Sequence, residues 1–294
     1  MKICQYDSNQ AGIVVDDRVY PLGEALRRAG LLRDRYTMLE VFEVLVHEPR
    51  AKEIAFDVRG LGAPTPLASV QLLAPITNPP SIWAAAANYR AHQSEMAERT
   101  GWGSRANMTQ DELMAEFFLK PSSSLIGPGG TVLLPKGAKH VDHECELCAI
   151  IGIGGKNISE ADALDHVFGY TTLWDFSIRD PWGKQQNTRN IRKGCDSFTG
   201  LGPWVVTRDE IAEPQDLHIR VEQNGQLVMT AHTADMICGL REHIRFLSER
   251  ITLRTGDLIT TGTPAGVSRL AHGDRLHGGI AGIGEMRFDV KDDA

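Results

Sequence analysis

Residues 143–152 read HECELCAIIG, two carboxylates followed at once by an apolar run. If this stretch is a β-strand, its side chains alternate between the two faces, so Glu144 and Glu146 point the same way. The apolar residues from Leu147 onward predict that the strand is buried. Two carboxylates on one buried face repel each other and lose hydration, which is costly unless a cation or a base lies between them.

A third carboxylate is available in another apolar run. Asp175 lies within LWDFSIRD, residues 173–180. Three carboxylates suit a hard divalent cation, because Mg²⁺, Mn²⁺ and Ca²⁺ prefer oxygen ligands. The alternative is that Glu144 and Glu146 lie on a solvated strand face and Asp175 at a strand end, and spacing alone slightly favours that alternative. Both interpretations stay open at this point.

The surrounding sequence from Ile82 onward is rich in strand patterns. Apolar runs alternate with Gly and Pro, and residues 217–233 alternate around Asn224-Gly225, a strong hairpin pattern. Helical patterns are sparse and cover residues 88–99, 109–118, 159–167 and 239–250. The order of elements is not the βαβα alternation of a doubly wound sheet. We therefore predict an α+β, β-rich fold.

The first 75 residues predict a smaller unit. Short strand patterns lie within residues 3–22, and helical patterns cover 23–30 and 37–48. Residues 60–69, GLGAPTPLAS, have the composition of a connector, and a strand pattern follows at 70–75. We predict a small N-terminal domain at 1–75 and a larger domain at 76–294.

Composition and charge exclude several classes of protein. The chain has 294 residues, 42% of them hydrophobic, which is ordinary for a globular protein and excludes a disordered chain. Its net charge of −7 provides no basic field for nucleic acid. We also expect no membrane partner, because no apolar run reaches the roughly 18 residues of a membrane helix. The N-terminus lacks a signal-peptide pattern and the five cysteines are an odd number, so we expect a reducing, cytoplasmic location.

Other motifs carry less information. Cys145 and Cys148 have the spacing of a zinc or redox motif, but there is no second pair, so packing is the preferred interpretation. His92 and Glu95 are three residues apart in a helical pattern, so they share a face. A general base with an orienting carboxylate has this arrangement, although most such pairs lie on protein surfaces.

Six segments, in this order, resemble the fumarylacetoacetate hydrolase superfamily. The resemblance runs from about Ile82 to Met286, roughly two thirds of the chain. The segments are NYRAHQSE at 88–95, FLKPSSSLIGPGG at 118–130, HECELCAIIG at 143–152, GYTTLWDFSIRD at 169–180, KGCDSFTGLGPW at 193–204 and GDLITTGTPAGV at 256–267.

The resemblance implies a fold, a site and a reaction. The expected fold is a mixed β-roll or β-sandwich catalytic domain, as a homodimer, with a small N-terminal α+β domain. The implied ligands of a Mg²⁺, Mn²⁺ or Ca²⁺ ion are Glu144, Glu146 and Asp175, the three carboxylates selected above. The implied catalytic residues are His92, Glu95 and Lys193, and the residues expected to bind substrate are Tyr89, Arg179 and Thr263.

The implied activity is metal-dependent hydrolysis of the C–C bond of a 2,4-dioxo acid in a catabolic pathway. Family hydrolases often carry Gln two residues after the Arg-Asp pair of the Asp strand, where this chain has Trp182, with Gln185 and Gln186 out of register. A decarboxylase, isomerase or hydratase of a related 2-oxo acid is therefore the alternative, and an inactive binding protein is a third hypothesis. The 21 residues between Glu95 and Phe117 suggest a mobile cover over the site.

Overall fold

The computed structural model describes residues 1–100, 108–180 and 188–293, which contain seven α-helices and nineteen β-strands. The helices are α1 (Leu22–Arg28), α2 (Met38–His47), α3 (Pro49–Phe56), α4 (Arg90–Thr100), α5 (Gln110–Met114), α6 (Arg189–Lys193) and α7 (Leu240–Arg250). The N-terminal strands are β1 (Lys2–Tyr6), β2 (Gln10–Val15), β3 (Arg18–Tyr20), β4 (Thr65–Pro66) and β5 (Leu72–Leu73).

The remaining strands follow from Ile82 to Asp292. They are β6 (Ile82–Ala84), β7 (Phe118–Leu119), β8 (Leu125–Ile126), β9 (Thr131–Leu134), β10 (His140–Asp142), β11 (Cys145–Ile151), β12 (Val167–Asp175), β13 (Ser177–Asp180), β14 (Thr199–Thr207), β15 (His218–Gln223), β16 (Gln226–His232), β17 (Leu258–Thr260), β18 (Arg275–Ile280) and β19 (Gly284–Asp292). The α+β, β-rich class predicted from the sequence is confirmed.

The largest sheet places the HECELCAIIG stretch near its middle. Its strand order is β4-β3-β2-β1-β14-β12-β11-β17-β6-β7, with β5 beside β1 and β8 beside β14. β11 pairs antiparallel with both β12 and β17, so it is flanked on both edges. Every residue of β11 is buried, because an apolar cluster covers each of its two faces.

Two smaller sheets complete the strand framework of the described residues. One has the order β16-β15-β18-β19-β9, and β10 pairs with β13 in the other. The hairpin between β15 and β16 turns at Asn224 and Gly225, with φ of 55° and 78°. Both values lie in the left-handed region that a two-residue hairpin requires, so the predicted hairpin is confirmed.

The N-terminal strands join the large sheet. β1 pairs antiparallel with β14, in the register Lys2 to Val206 and Ile3 to Val205. One apolar cluster contains Ile3, Leu26 and Phe42 together with residues of β11, β12 and β14. The predicted boundary at residue 75 therefore falls within a shared sheet and a shared core, and it stays a prediction.

The helices follow their sequence patterns with three exceptions, one of which is the short α6, where no helical pattern was predicted. α7 buries Leu240, Ile244 and Leu247, the apolar face expected from its spacing. Residues 159–167 do not form the predicted helix, because only a 3₁₀ turn at Ala163–His166 is present before β12 begins. α3 was not expected, because its PRAKEIAF sequence has a weak apolar pattern and buries only two alanines.

Three further expectations concern cysteines and membranes. All five cysteines are free thiols, and Cys145 and Cys148 are buried in two different apolar clusters. The packing interpretation of this pair therefore holds, and a shared metal or disulfide does not. Among the described residues, no helix combines the length and apolarity needed to span a membrane.

Candidate active site

Three buried carboxylates converge where β11 and β12 lie side by side. Glu144 directly precedes β11 and Glu146 lies in it, while Asp175 ends β12, and the Asp175 N–H donates to the Glu144 carbonyl at 2.8 Å. One carboxylate oxygen from each residue lies within 4.8 Å of the other two. The residues are 4%, 1% and 0% exposed, so the solvated-face alternative is wrong.

Two lysines and an arginine form ion pairs with two of the three carboxylates, Glu144 and Asp175. Lys193 Nζ donates to Glu144 Oε2 at 2.8 Å and to Asp175 Oδ2 at 2.5 Å. Lys120 Nζ donates to the other Asp175 oxygen at 2.6 Å. Arg179 Nη2 donates to Glu144 Oε1. Glu144 and Asp175 are thus each bound by two cations, an arrangement that offsets the cost of burying them.

Glu146 is in a different electrostatic position. Its Oε2 accepts hydrogen bonds from Thr260 Oγ1 at 2.5 Å and from the Gly262 N–H at 2.8 Å. Among the described residues Glu146 has no ion-pair partner. Neutral donors alone leave its charge uncompensated in a buried place, so this carboxylate fits a cation that the side chains do not provide.

The pKa values of the two glutamates differ for this reason. Burial would raise the pKa of Glu144, but the charges of Lys193 and Arg179 outweigh burial and hold it well below its usual range. Burial and the carboxylates of Asp175 and Glu144 raise the pKa of Glu146 to about 8. A proton on Glu146 therefore reduces the repulsion among the three carboxylates, and a bound metal ion would reduce the same repulsion.

His92 and Glu95 form the expected pair on α4. His92 Nδ1 lies 3.1 Å from Glu95 Oε2, and the other Glu95 oxygen accepts the Gly266 N–H at 3.1 Å. His92 is 5% exposed and lines one cavity together with Glu144 and Glu146. A carboxylate fixed at both oxygens can hold the imidazole in one orientation, with the second ring nitrogen available as a base.

The start of α4 is fixed by the side chain of Asn88. Asn88 Nδ2 donates to the carbonyls of Thr261 and Cys238, both at 2.8 Å, and Asn88 Oδ1 accepts the Cys238 N–H at 2.9 Å. Ala87, just before it, has φ of 53°. These contacts tie the residues just before α4 to Thr261, after β17, and to Cys238, before α7, and so anchor the end of the helix that carries His92.

The residues expected to bind substrate are not all in the cavity. Thr263 and Arg179 line it, together with Lys193. Tyr89 does not belong to its described lining, because the ring is 1% exposed within the main apolar cluster. Burial and the nearby Glu146 carboxylate raise the pKa of the Tyr89 phenol, so it is a neutral group in the core.

Sequence reasoning missed Lys120 and Asp142. Both are buried, and Asp142 Oδ2 accepts from Arg179 Nε at 3.0 Å. Both residues are charged and lie close to apolar strand patterns, and this was a usable sign of buried ion pairs, because a fully buried charge requires a partner. Their partners lie 55 and 37 positions away, so spacing could not identify them.

Some expectations fall on residues that the structure does not describe. Trp182, Gln185 and Gln186, which bear on the oxyanion donor, lie outside the described residues, as does the middle of the predicted cover, 101–107.

Comparisons with known proteins find matches to both the sequence and the fold. The family model "Fumarylacetoacetate (FAA) hydrolase C-terminal" matches residues 81–291. Maleylpyruvate hydrolase of Aquipseudomonas alcaligenes is 36% identical over 293 residues, which cover 99% of both chains. The crystal structure of maleylpyruvate hydrolase from Sphingobium sp. SYK-6, in complex with manganese(II) and pyruvate, has a TM-score of 0.82 at 32% identity and covers 100% of both chains.

A relative with a different activity is also similar. The structure of 5-carboxymethyl-2-hydroxymuconate delta-isomerase from Mycobacterium smegmatis has a TM-score of 0.68 at 34% identity. The match covers 79% of this chain and 84% of that one. Similarity to this fold therefore includes both hydrolases and isomerases.

Proposed function

The chain belongs to the fumarylacetoacetate hydrolase family, and from that membership we propose that it is a divalent-metal-dependent hydrolase of acylpyruvates. The observation that carries this proposal is one cavity lined by His92, Glu144 and Glu146, with Asp175 bonded to the Lys193 that also lines it. Near-complete overlap with a maleylpyruvate hydrolase supports the reaction class.

The proposed metal ligands are Glu144, Glu146 and Asp175. Their oxygens are close enough to share one ion, and Glu146 has no cationic side chain of its own among the described residues. A bound divalent cation would supply Lewis acidity, polarising the 2-oxo group of the substrate and stabilising negative charge on it. We propose Mg²⁺ as the cation in the cell, with Mn²⁺ or Ca²⁺ as substitutes, since all three prefer oxygen ligands.

Hydrolysis requires a base that activates water and a fragment that can accept the electron pair of the broken C–C bond. His92, oriented by Glu95, takes a proton from water, and the resulting hydroxyl adds to the C4 carbonyl of the 2,4-dioxo acid. The bond between C3 and C4 then breaks, and its electron pair stays on the pyruvyl fragment. That fragment takes a proton at C3 to give pyruvate, while C4 becomes the carboxylic acid of the second product.

Basic residues around the cavity favour an anionic substrate. Lys193 and Arg179 line it, and Lys120 lies behind Asp175. We propose that Lys193 stabilises the developing anion, and that Thr263 and Arg179 bind the substrate carboxylate. Tyr89 stays a proposed substrate-binding residue, because its buried hydroxyl has no hydrogen-bond partner among the described residues and lies near the Glu146 carboxylate.

The second candidate is isomerisation, decarboxylation or hydration of a related 2-oxo acid. The observation that favours it is the similarity to a delta-isomerase of the same fold. Isomerisation and decarboxylation need the metal site but no attacking water, so the His92–Glu95 pair distinguishes them from hydrolysis. Hydration also uses water, and a product heavier than the substrate by one water identifies it.

The deciding experiment supplies the Mn²⁺-loaded protein with 2,4-dioxopentanoate and with maleylpyruvate and assays pyruvate and CO₂. Stoichiometric pyruvate supports hydrolysis. CO₂ without pyruvate, or a product of unchanged mass, would contradict it. His92→Ala should abolish pyruvate release under the same conditions.

We further propose that the enzyme is a cytoplasmic homodimer that acts in catabolism. The proposal of a dimer follows from the family resemblance, and light scattering on the purified protein tests it. A mass near 32.3 kDa, that of one chain, would contradict the dimer.

A further inference from the structure

A second cavity adjoins the catalytic cavity and carries positive charge. It has a volume of about 620 Å³ and will be called the outer cavity. Its permanently charged cations are Arg99, Lys139, Arg179 and Arg269, against the carboxylates of Asp142 and Asp180, so its formal charge is +2. This local excess stands out in a chain whose net charge is −7.

The two cavities share two lining residues, one of them on α4. Met96 and Arg179 line both of them. His92, Met96 and Arg99 are spaced four and three residues apart, so they form one stripe on the helix. At 1.5 Å per residue, Arg99 lies about 10 Å along the helix from His92. The stripe therefore leads from the proposed base directly into the outer cavity.

Asp142 organises the cations between the two cavities. It is fully buried, and it accepts from Arg99 at 3.2 Å, from Arg179 at 3.0 Å and from His140 at 2.6 Å. Asp142 thus fixes two guanidinium groups, of which Arg179 also pairs with Glu144.

The direction of the substrate follows from the proposed reaction. The pyruvyl end lies at the carboxylate triad, and the carbonyl that water attacks lies at His92. One path for the acyl group beyond that carbonyl runs past His92 along the stripe on α4, to Met96 and then to Arg99. A carboxylate at the end of the acyl group would reach the cations of the outer cavity.

A different exit from the catalytic cavity has the opposite character. It shares Phe118 and Arg189 with the catalytic cavity and is otherwise lined mainly by apolar residues, among them Trp83, Phe117 and Leu119. Arg189 there pairs with Glu116 at 3.0 Å. This side suits an apolar acyl group, whereas an ionised one is better stabilised in the outer cavity.

We propose that the outer cavity is the binding subsite for a second carboxylate, at the end of the substrate farthest from its pyruvyl group, with Arg99 as the specificity-determining residue. The inference rests on the proposed function and narrows its substrates to dicarboxylic acylpyruvates. The hydrolysis products are then pyruvate and a dicarboxylic acid.

The test compares two substrates that differ in the distal carboxylate. Pyruvate release gives kcat/KM for maleylpyruvate, which has that carboxylate, and for 2,4-dioxopentanoate, which ends in a methyl group. We expect the wild type to prefer maleylpyruvate at least tenfold. Arg99→Gln should reduce this ratio at least tenfold, mainly through a higher KM for maleylpyruvate, and Arg99→Lys should restore part of it. Lys136→Gln, which removes an exposed cation that lines neither cavity, should leave the ratio unchanged.

A binding measurement separates recognition from folding and turnover. Maleate should inhibit 2,4-dioxopentanoate hydrolysis by the wild type more strongly than acetate does, and Arg99→Gln should remove the difference. An unchanged ratio in Arg99→Gln, or a ratio that falls in Arg189→Gln instead, would overturn the subsite. A wild type that hydrolyses both substrates equally would overturn it too, whereas one that hydrolyses neither would overturn the proposed function itself.

Discussion

At the level of single residues, the carboxyl group of Glu146 links metal binding to pH. Its pKa is raised from the ordinary 4.5 to about 8 by burial and by the Asp175 and Glu144 carboxylates. A raised acid pKa stabilises the metal-free fold below pH 4.5, and this contribution is lost as the pH rises through 8. Thermal unfolding of the EDTA-treated protein should therefore show a Tm that falls between these values.

The control replaces the titrating group. Glu146→Gln keeps the hydrogen-bonding shape without the charge, so its Tm should fall less over the same pH range. Added Mn²⁺ should raise the Tm of the wild type more at pH 9 than at pH 6, because above a pKa of about 8 most Glu146 carboxyl groups carry no competing proton. Parallel Tm curves for the wild type and the variant would contradict the role given to Glu146.

For the His92–Glu95 pair we predict that substitutions lower kcat and leave metal binding nearly unchanged. His92→Ala should lower kcat for acylpyruvate hydrolysis by about 10²- to 10⁴-fold, the range for loss of a general base. Glu95→Gln should cost less, because the imidazole remains. Mn²⁺ affinity should stay within a few-fold of wild type in both, since neither residue belongs to the carboxylate triad. Full activity in His92→Ala would favour the isomerase or decarboxylase alternative.

Lys120 makes a prediction about stability. Its ammonium is fully buried against Asp175, so Lys120→Met leaves that carboxylate with one cation instead of two. Breaking a buried pair from one side costs about 3 to 5 kcal/mol of unfolding free energy. Urea unfolding measures the loss, with the exposed Lys136→Met as control, for which less than about 0.5 kcal/mol is expected. Equal midpoints for the two variants would contradict a structural role for Lys120.

Single residues also show how far sequence reasoning extends. Strand alternation and apolar neighbours made Glu144, Glu146 and Asp175 candidates, but spacing alone slightly favoured a solvated face, and the family resemblance was needed to prefer the metal site. Lys120 could not be given a role, since its partners, Asp175 and the Lys193 carbonyl, are distant in sequence. The substrate-binding role expected for Tyr89 stays a prediction: its ring is buried in the apolar core, and its hydroxyl has no hydrogen-bond partner among the described residues.

At the level of elements, Asn88 anchors the beginning of α4, the helix that carries the proposed base His92. Asn88→Ala removes three hydrogen bonds to the Cys238 and Thr261 backbone and leaves buried groups unsatisfied. We expect a loss of about 2 kcal/mol or more in unfolding free energy. We also expect a loss of about tenfold or more in kcat, because a small displacement of His92 spoils the reacting geometry.

The matched control lies on the same helix. Ser94 is exposed on α4, so Ser94→Ala should leave both the unfolding free energy and kcat close to wild type. If Asn88→Ala behaved like Ser94→Ala, the anchor would not position His92.

Elements were predicted well where the pattern was local and poorly where it was not. The Asn224-Gly225 hairpin and α7 follow from turn chemistry and apolar spacing. Residues 159–167 have helical spacing but form only a 3₁₀ turn, because β12 takes over at Val167 to pair with β11 and β14. Tertiary pairing thus overrides local preference there.

At the level of the whole molecule, the N-terminal unit and the catalytic part share a sheet. β1 covers the edge of β14, and the N-terminal helices cover apolar residues of β11 and β12. Residues 76–294 expressed alone should therefore expose a strand edge and an apolar face and aggregate. Solubility and gel filtration of this fragment, beside the full chain, measure the effect. A soluble, cooperatively unfolding fragment would instead support an independent domain beginning at residue 76.

This sharing could not have been derived from the sequence. Connector composition at 60–69 suggests a boundary, but pairing between Lys2 and Val206 joins residues 204 positions apart, and no local pattern encodes it. The charge of the outer cavity could not be predicted from local patterns either, because its charged residues come from separate parts of the chain: Arg99, Asp142, Arg179 and Arg269.

The central claim is that three carboxylates bind one divalent cation, and a Mn²⁺ titration of the EDTA-treated protein, followed by electron paramagnetic resonance, tests it most directly. We predict one Mn²⁺ per chain for the wild type and at least a hundredfold weaker binding for Glu146→Gln at pH 8. Wild-type protein that binds no Mn²⁺, or a variant that binds it equally well, would contradict the account.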